Sequence, residues 1–308
     1  MEVCSLNQTK YQHKSALWSG PSSYLFLVPA LCLYALAIVY PTLQSIYLSF
    51  FEWNGVKPKV FVGLKNFVNL FTSDKIFWTA LTNNIIWIVL TLVFTVSVSL
   101  MLALALNRQF RGRTFFRAVF YIPYMFSFVV VGIIWKWMYN PTMGFVNEFL
   151  ELIGLESATR SWLSEKEIAL YCIYIAALWQ GVGQPMVYFL SGLSAIPADI
   201  LEAARIDGAG KVSTFFKITV PMLKETFVVV LATLIITAMK VYDIVYTMTG
   251  GGPANATQTL ASYMYSQTFR YNNLGKGSAI TTIMLVIMLF VIVPYVLFTS
   301  RDATSEEK

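Results

Sequence analysis

Long apolar stretches alternate with short polar loops along the 308-residue chain. Six stretches run for about 20 residues or more with few charges, the length that an α-helix needs to cross the hydrocarbon of a bilayer. They cover residues 24–48, 77–106, 114–138, 168–193, 226–248 and 278–300. The pattern predicts an all-α, polytopic membrane protein with six transmembrane helices.

The composition supports this class and suggests three parts. Hydrophobic residues make up 57% of the chain and charged residues 12%, which is too apolar for a soluble domain. We expect an amino-terminal tail at 1–23, a transmembrane domain at 24–300 and a carboxy-terminal tail at 301–308. No cleaved signal peptide is expected, since no small-residue cleavage site accompanies the first apolar stretch.

Lysine and arginine are distributed unevenly among the loops. The loop 107–117 carries Arg108, Arg111, Arg113 and Arg117, and the loop 194–225 carries further cations. Because cytoplasmic loops are enriched in Lys and Arg, both of these loops and both termini are predicted to be cytoplasmic. The net charge of +6 is then a matter of orientation in the bilayer, and no basic stripe interleaved with aromatic residues points to nucleic acid.

Residue types that carry catalysis or bind metals are sparse. Cys4, Cys32 and Cys172 form no C-x-x-C pair, and His13 is the only histidine. Metal ligation, imidazole proton transfer and a bound cofactor are therefore not expected. With no catalytic residues to assign, we predict that the chain is not an enzyme.

A phosphate loop is also missing. The string Gly208-Ala-Gly210-Lys211 resembles part of one, but Arg205 and Val212 stand where that motif has Gly and Ser or Thr. A glycine stop after a short helix explains the string instead. The chain is thus predicted to lack a nucleotide site.

Three ionisable residues bear on the class of transporter. Lys136, Lys240 and Asp243 lie toward the outer ends of the third and fifth stretches. An ion-coupled secondary transporter is one alternative, and it needs such groups deeper in its spans. Lys240 and Asp243, three residues apart, are expected on one helix face as a local pair. A membrane-embedded enzyme is a second alternative, but no cluster of catalytic side chains supports it.

The loop 194–225 contains signals for a short capped helix. Pro197 suits a first helical turn and Asp199 favours the positive end of the helix dipole, while Gly208 and Gly210 can take the left-handed conformation that ends a helix. One helix is predicted at 197–207 and a second at 211–219, before Pro221 begins the next span. The alanines of the first of these helices allow close approach by another protein. Packing of this helix beneath its own bundle is the alternative.

Several patterns, in order over about 29–294, together resemble one family. They are Glu202-Ala-Ala-x-x-Asp207-Gly208 with Phe215-Phe216-x-Ile218-Thr-x-Pro221; Phe61-Val-Gly63-Leu64-Lys-Asn66 with Asn83-Asn84; Phe115-Phe116-Arg117 with Ile122-Pro123 and Trp135-Lys136-Trp137; Trp179-Gln180-Gly181 with Gly192-Leu-x-x-Ile196-Pro197; and Tyr242-Asp243 with Thr249-Gly-Gly251-Gly252-Pro253. The set resembles the permease subunits of binding-protein-dependent ABC importers, in the sugar branch of the maltose and multiple-sugar type.

This resemblance implies half of a transporter in a bacterial or archaeal plasma membrane. A second, usually non-identical permease would complete the pathway. Two ATP-hydrolysing subunits would bind ATP and Mg outside this chain, and an extracytoplasmic binding protein would deliver the sugar. Glu202 would be the docking acid for the ATPase, Ala203 and Ala204 the contact face, and Gly208 the turn. The residues assigned to docking are Glu202, Ala203, Ala204, Arg205, Asp207, Gly208, Phe215 and Pro221.

The resemblance also suggests where the solute passes. Aromatic faces stack on sugars while amides and hydroxyls bind their hydroxyl groups, and Gln184-Pro185 predicts a helix break. Interhelical hydrogen bonding is the alternative role for the polar residues. The maltose permease has asparagines where this chain has Ala238, Lys240 and Val241, so the sugar stays open, and a glycerol phosphate is the alternative. The pathway candidates are Tyr124, Gln180, Gly183, Gln184, Lys240, Val241 and Asp243.

A glycine-rich loop follows the fifth stretch. Gly251, Gly252 and Pro253 are expected on the outer side of the membrane. They form either a flexible rim that touches the binding protein or a tight connector with unusual backbone angles.

Overall fold

The computed structural model describes residues 26–305, with side chains described as far as 295 and at 297. The predicted tail 1–23 lies outside the described residues, as do 306–308, whereas 301–305 continue the last helix. Internal contacts divide the chain into two units, Met1–Tyr47 and Leu48–Lys308. The described part of the first unit contains most of helix α1 (Val28–Leu48), which includes a π-helical turn at Ala35–Val39.

The second unit consists of helices and one small hairpin. Residues Phe51–Glu52 and Val60–Phe61 form an antiparallel pair, β1 and β2, which the all-α prediction lacked. The helices, in chain order, are α2 (Lys65–Thr72), α3 (Lys75–Asn107), α4 (Arg113–Met125), α5 (Phe128–Met138), α6 (Phe145–Leu152), α7 (Ala169–Gly181), α8 (Gly183–Ala195), α9 (Ala198–Ile206), α10 (Lys211–Met222), α11 (Lys224–Met239), α12 (Asp243–Thr249), α13 (Leu260–Tyr265) and α14 (Leu274–Ser305).

Three of the described helices are long and apolar enough to cross a membrane unbroken. These are α1, α3 and the Leu274–Tyr295 part of α14. Three bent pairs raise the number to at most six: α4 with α5, bent by 98°, and α8 with α9 and α10 with α11, each bent by 69°. Length and composition thus give three to six spans, and the count of six stays a prediction.

Helix breaks interrupt the third, fourth and fifth predicted spans. The fourth breaks at Val182 rather than at Gln184-Pro185. Pro185 lies in the first turn of α8, where a missing N–H needs no partner. The carbonyl oxygen of Val182 accepts a hydrogen bond from Ser99 Oγ at 2.9 Å, so protein rather than water satisfies this break.

Three apolar clusters form the core, and α3 contributes to each. Phe77 packs with α2, α13 and α14, Trp87 packs with α5, α7 and α12, and Ala103 packs with α8 and α11. One turn of α3, Thr91–Thr95, is π-helical. Its position among the three clusters makes α3 the central element of the described bundle.

Two buried asparagines of α3 connect it to a helix break and to the loop beyond. Asn84 Nδ2 donates to the carbonyl of Ala238 at 3.1 Å, and its Oδ1 accepts from the N–H of Leu260 at 2.7 Å. Asn83 Nδ2 donates to the carbonyls of Ala256 and Gln258 at 2.7 and 2.8 Å. In a bilayer, side chains that satisfy freed backbone groups hold helices together. This pair therefore fixes the loop 250–260 to α3.

An ion pair fastens the same end of the bundle, called here the α13 end. Asp74 Oδ1 caps α3 by accepting from the N–H groups of Ile76 and Phe77. Its Oδ2 accepts from Tyr263 Oη at 2.6 Å and lies 2.7 Å from Lys276 Nζ. Burial alone raises the pKa of Asp74, but the hydrogen bonds from Lys276, Tyr263 and Phe77 outweigh it and lower the pKa below 3.8.

Replacing Asn84 by alanine should destabilise the protein. The N–H of Leu260 would be left buried without a partner, which costs about 1–3 kcal/mol, and the carbonyl of Ala238 would keep only its 3.4 Å hydrogen bond from the N–H of Val241. Thermal unfolding in detergent, followed by tryptophan fluorescence, should show a lower Tm for Asn84→Ala. Asn69→Ala is the matched control, because Asn69 is exposed and its side chain makes no hydrogen bond among the described residues. Equal shifts for the two variants would contradict the assignment.

The stability of the protein should depend on pH through Asp74. Because its folded-state pKa is below the ordinary 3.8, its contribution is full above that value and is lost as pH falls through the lowered pKa. Asp74→Asn should lower Tm at pH 6, and the difference from the native protein should shrink below about pH 4. A difference that stays constant from pH 6 to pH 3 would contradict the role of the carboxylate.

Candidate functional site

Helix α9 is a short helix that projects from the end of the bundle opposite the α13 end. We call this end the α9 end. Pro197 is its N-cap rather than its first helical residue, and Asp199 lies in the first turn. Asp207 caps the end, where the N–H groups of Asp207 and Gly208 donate to the carbonyls of Ala203 and Arg205. The helix therefore spans 198–206, one residue less at each end than predicted.

The two alanines of α9 differ in environment. Ala204 is only 7% exposed and packs within this chain, whereas Glu202, Ala203 and Arg205 are exposed. The prediction that Ala204 belongs to a face open to a partner is therefore wrong, because the 3.6-residue period turns Ala204 toward the bundle when Ala203 faces out. The alternative of packing beneath its own bundle holds for this one residue.

Apolar side chains that the sequence analysis did not assign extend the exposed face. Ile206 is 81% exposed, and Val212 and Phe216 are 71% and 65% exposed. Phe215, which was assigned, is half-buried against the ring of Phe216 at 4.8 Å between centroids. Large apolar groups left in the open at a loop often mark an interaction site. We call the exposed residues Glu202, Ala203, Ile206, Val212 and Phe216 the α9 surface.

The two glycines after α9 behave differently. Gly208 has φ of +77°, the left-handed conformation predicted for it, and ends the helix. Gly210 has φ of −69° and ψ of 159° as the N-cap of α10, so the prediction of a left-handed Gly210 is wrong. One left-handed residue is enough to reverse the chain between α9 and α10.

Helix α10 runs further than predicted and ends in a bend. It contains a π-helical turn at Phe215–Thr219 and includes Pro221, which was expected to begin the next span. The next helix, α11, begins at Lys224, after Leu223, which is fully buried. Leu223 thus joins α10 to the long helix α11 and packs in the apolar cluster of α3, α8 and α11.

A cavity of about 350 Å³ lies among α3, α5, α7, α11 and α12. We call it the central cavity. Trp87 and Tyr174 meet edge to face at 5.4 Å on its wall, and Tyr174 Oη donates to the carbonyl of Leu90 and lies 3.0 Å from Thr95 Oγ1. The lining residues are Trp87, Thr91, Thr95, Phe128, Tyr174, Ala177, Gly181, Leu234, Ile236, Thr237, Ala238, Lys240, Val241, Tyr242, Asp243 and Ile244.

The break between α11 and α12 forms part of this wall. Lys240, Val241 and Asp243 all line the central cavity. Lys240 lies after the end of α11, whereas Asp243 begins α12, so the prediction that they share one helix face is wrong. No ion pair joins them in the described structure. The carbonyl of Val241 accepts from Thr259 Oγ1 at 2.7 Å, which satisfies the broken backbone.

The other predicted pathway residues lie outside the central cavity. Gln180 is buried and its Nε2 donates to the carbonyls of Tyr124 and Phe126, where α4 bends toward α5, while its Oε1 has no partner in the described structure. Gln184 Nε2 donates to Tyr188 Oη at 2.9 Å. A Cβ on Gly183 would meet the backbone of Phe120, so this glycine permits close helix packing. Gln180 therefore makes hydrogen bonds between helices, the alternative role given for these residues above, and Gln184 makes one within α8.

The loop 249–253 is tightly folded. Gly250 and Gly251 have φ of +62° and +92°. Thr257 Oγ1 donates to the carbonyl of Gly252 and pairs with Thr249 Oγ1, each at 2.7 Å. A side chain on Gly251 would collide with Gln258. Of the two alternatives for Gly251, Gly252 and Pro253, the geometry favours the tight connector.

Comparison with known proteins defines the class. The chain is 40% identical over 270 residues to the Probable ABC transporter permease protein YurN of Bacillus subtilis, covering 86% of this chain and 91% of that one. It is 33% identical over 266 residues to the multiple sugar-binding transport system permease protein MsmF of Streptococcus mutans, covering 86% and 90%. This is a transmembrane permease subunit of an ABC importer.

A family model agrees with that class, and a solved structure matches the fold. The model described as binding-protein-dependent transport system inner membrane component matches residues 95–301, more than half of the chain. The chain belongs to this family. Its fold matches a chain of a bacterial ABC transporter for the acidic polysaccharide alginate, with a TM-score of 0.80 and 21% identity over 91% of this chain and 95% of that one.

Substituting alanine at Gly208 should loosen the end of α9. A left-handed conformation costs an L-residue about 1–2 kcal/mol. Hydrogen exchange should become faster at the amides of Asp207, Gly208 and Ala209 in Gly208→Ala. Gly210→Ala is the matched control, since Gly210 has an ordinary φ and both sites have open space for a Cβ. Unchanged exchange in Gly208→Ala would show that the turn carries no strain.

Proposed function

We propose that this permease subunit pairs with a second, homologous permease to form a path for a sugar or oligosaccharide. An extracytoplasmic binding protein delivers the solute, and two ATP-hydrolysing partner subunits supply the energy from the cytoplasmic side. The observation that carries the coupling role is the α9 surface. It combines an exposed acid, an exposed alanine and large apolar groups on the two short helices α9 and α10.

The chemistry of the α9 surface suits a cleft in another protein. Ile206 and Phe216 supply apolar area, and Glu202 makes no ion pair among the described residues and is available to one basic side chain in the partner. Interfaces of this kind take their energy from a few apolar anchors and their orientation from charged pairs. The four arginines of the loop 107–117 favour the cytoplasmic side for this end of the bundle.

The groups that line the central cavity suit a polar solute that also has apolar faces. Trp87, Tyr174 and Tyr242 provide aromatic surfaces, and Thr91, Thr95 and Thr237 provide hydroxyl groups. Sites that bind sugars combine these two kinds of group. The name of MsmF and that of the lactose transport system permease protein LacF of Rhizobium radiobacter, which is 34% identical over 284 residues, agree with a sugar.

A charge reversal on α9 should separate this proposal from an ion-coupled transporter working alone. Glu202→Lys should reduce co-purification of the ATPase subunit and lower ATP-dependent sugar uptake by about tenfold or more, as expected when one partner of a desolvated charged pair is reversed. The measurements are pull-down from detergent and uptake into proteoliposomes loaded with ATP.

The matched control is Glu151→Lys, which makes the same charge change at an exposed acid of α6. It should leave assembly with the ATPase unchanged. If Glu202→Lys assembled and transported as well as the native chain, the docking role of α9 would be rejected. Uptake that persisted without any ATPase subunit would reject the ABC mechanism itself.

A further inference from the structure

A second, larger cavity opens at the α13 end. Its volume is about 820 Å³, within the range of ligand sites. It lies between the start of α3, the loop 250–258, the turn after α13 and the start of α14, and it shares no lining residue with the central cavity. We call it the outer cavity. None of the residues assigned to the solute path or to the α9 surface belongs to it.

Two buried glutamines present unused amide groups to the outer cavity. Gln267 is 8% exposed, and its side-chain amide makes no hydrogen bond with any described residue. Gln258 is 5% exposed; its Oε1 accepts from Ser262 Oγ at 2.6 Å, while its Nε2 has no such partner. Both residues line the outer cavity, and neither free amide is enclosed by protein on all sides. The amides are therefore placed to pair with groups that enter the cavity, and amides are suited to the hydroxyl groups of a sugar.

The charges on the wall select among such ligands. Asp74 is neutralised by Lys276 at 2.7 Å, so this pair adds no net charge. Lys75 and Arg270 also line the cavity, are exposed, and form no ion pair among the described residues. The lining thus carries an excess of about two positive charges, on exposed side chains that can form charge-assisted hydrogen bonds to an anion entering the cavity.

The wall is also held in shape before any ligand arrives. Asn83 fixes the carbonyls of Ala256 and Gln258, and Thr259 and Ser262 form a capping box at the start of α13. Gln267 and Arg270 both belong to the π-helical turn Ser266–Arg270, a distortion that occurs often at functional sites. Preorganised groups lose little freedom on binding, which favours affinity.

We propose that the outer cavity is a binding site for an anionic carbohydrate, with Gln258 and Gln267 binding hydroxyl groups and Lys75 and Arg270 binding the negative group. The inference rests on the proposed function, because it takes a sugar as the solute, and it adds that this sugar is negatively charged. The permease would itself hold the sugar at its mouth before the sugar reaches the central cavity.

Direct binding tests the site. The full-length chain in its assembled importer, reconstituted in nanodiscs without a binding protein, is titrated calorimetrically with trigalacturonate and with the neutral maltotriose. Trigalacturonate should bind saturably, more tightly than maltotriose, and more weakly as salt rises. Arg270→Ala should weaken trigalacturonate binding about tenfold or more, the size expected for one charge-assisted hydrogen bond. Gln267→Ala should weaken the binding of both sugars.

Arg160→Ala is the matched control, because Arg160 is exposed at the same end but pairs with Glu165 and does not line the cavity. It should bind trigalacturonate like the native chain. No saturable binding, equal binding of the two sugars, or binding unchanged in Arg270→Ala would overturn the proposal. So would a loss of binding-protein capture in Arg270→Ala with sugar binding intact, since that assigns the cavity to a protein contact.

The two proposals fail in different ways. If the outer cavity binds no anionic sugar but ATP-driven uptake still depends on Glu202, the importer proposal stands and this site is rejected. If trigalacturonate binds at Arg270 but uptake does not depend on the ATPase, the outer cavity stands as a binding site and the coupling role of the α9 surface is rejected.

Discussion

The need to satisfy backbone groups at a broken helix underlies the architecture of this permease. Between Met239 and Asp243 the chain leaves the helix, and in a bilayer the freed carbonyls and N–H groups have no lipid partner. Asn84 bonds to the carbonyl of Ala238 on one side of the break and to the N–H of Leu260 beyond it, and Thr259 bonds to the carbonyl of Val241. The break, the loop that follows it and the helix α3 are therefore one hydrogen-bonded unit.

Both cavities depend on this unit. The central cavity lies where α11 stops and α12 begins, opposite the π-helical turn Thr91–Thr95 of α3, so two departures from regular helix face each other there. The outer cavity uses the far side of the same loop, since Asn83 holds the carbonyl of Gln258 and so positions the buried amide of that residue. An uninterrupted helix through 239–243 would engage within itself the carbonyl of Ala238 that Asn84 binds. Irregular backbone is thus kept where protein can satisfy it and where it lines an opening.

The sequence predicted helices and the α9 turn well because those depend on local rules. Gly208 is left-handed as its position after α9 indicates, and α9 lies within one residue of its predicted bounds. Local rules failed where tertiary contacts decide. The prediction that Lys240 and Asp243 share a helix face assumed a continuous helix. The helix is broken between them, and the break is stabilised by Asn84, more than 150 residues away in sequence. Ala204 looked equivalent to Ala203, yet only packing against the bundle distinguishes them. Gln180 could not be assigned from sequence because its partners are backbone carbonyls at the bend between α4 and α5.

The α9 surface and the central cavity lie at different levels of the protein, and α11 connects them. At one end α11 follows buried Leu223, and a Cβ on Gly192 of α8 would meet Leu223 and Thr226, so α8 and α11 are in close contact there. At its other end α11 stops at the break whose carbonyl Asn84 holds. Helix α11 therefore links the α9 end of the bundle to the wall of the central cavity, through close packing with α8 at one end and the hydrogen bond from Asn84 at the other.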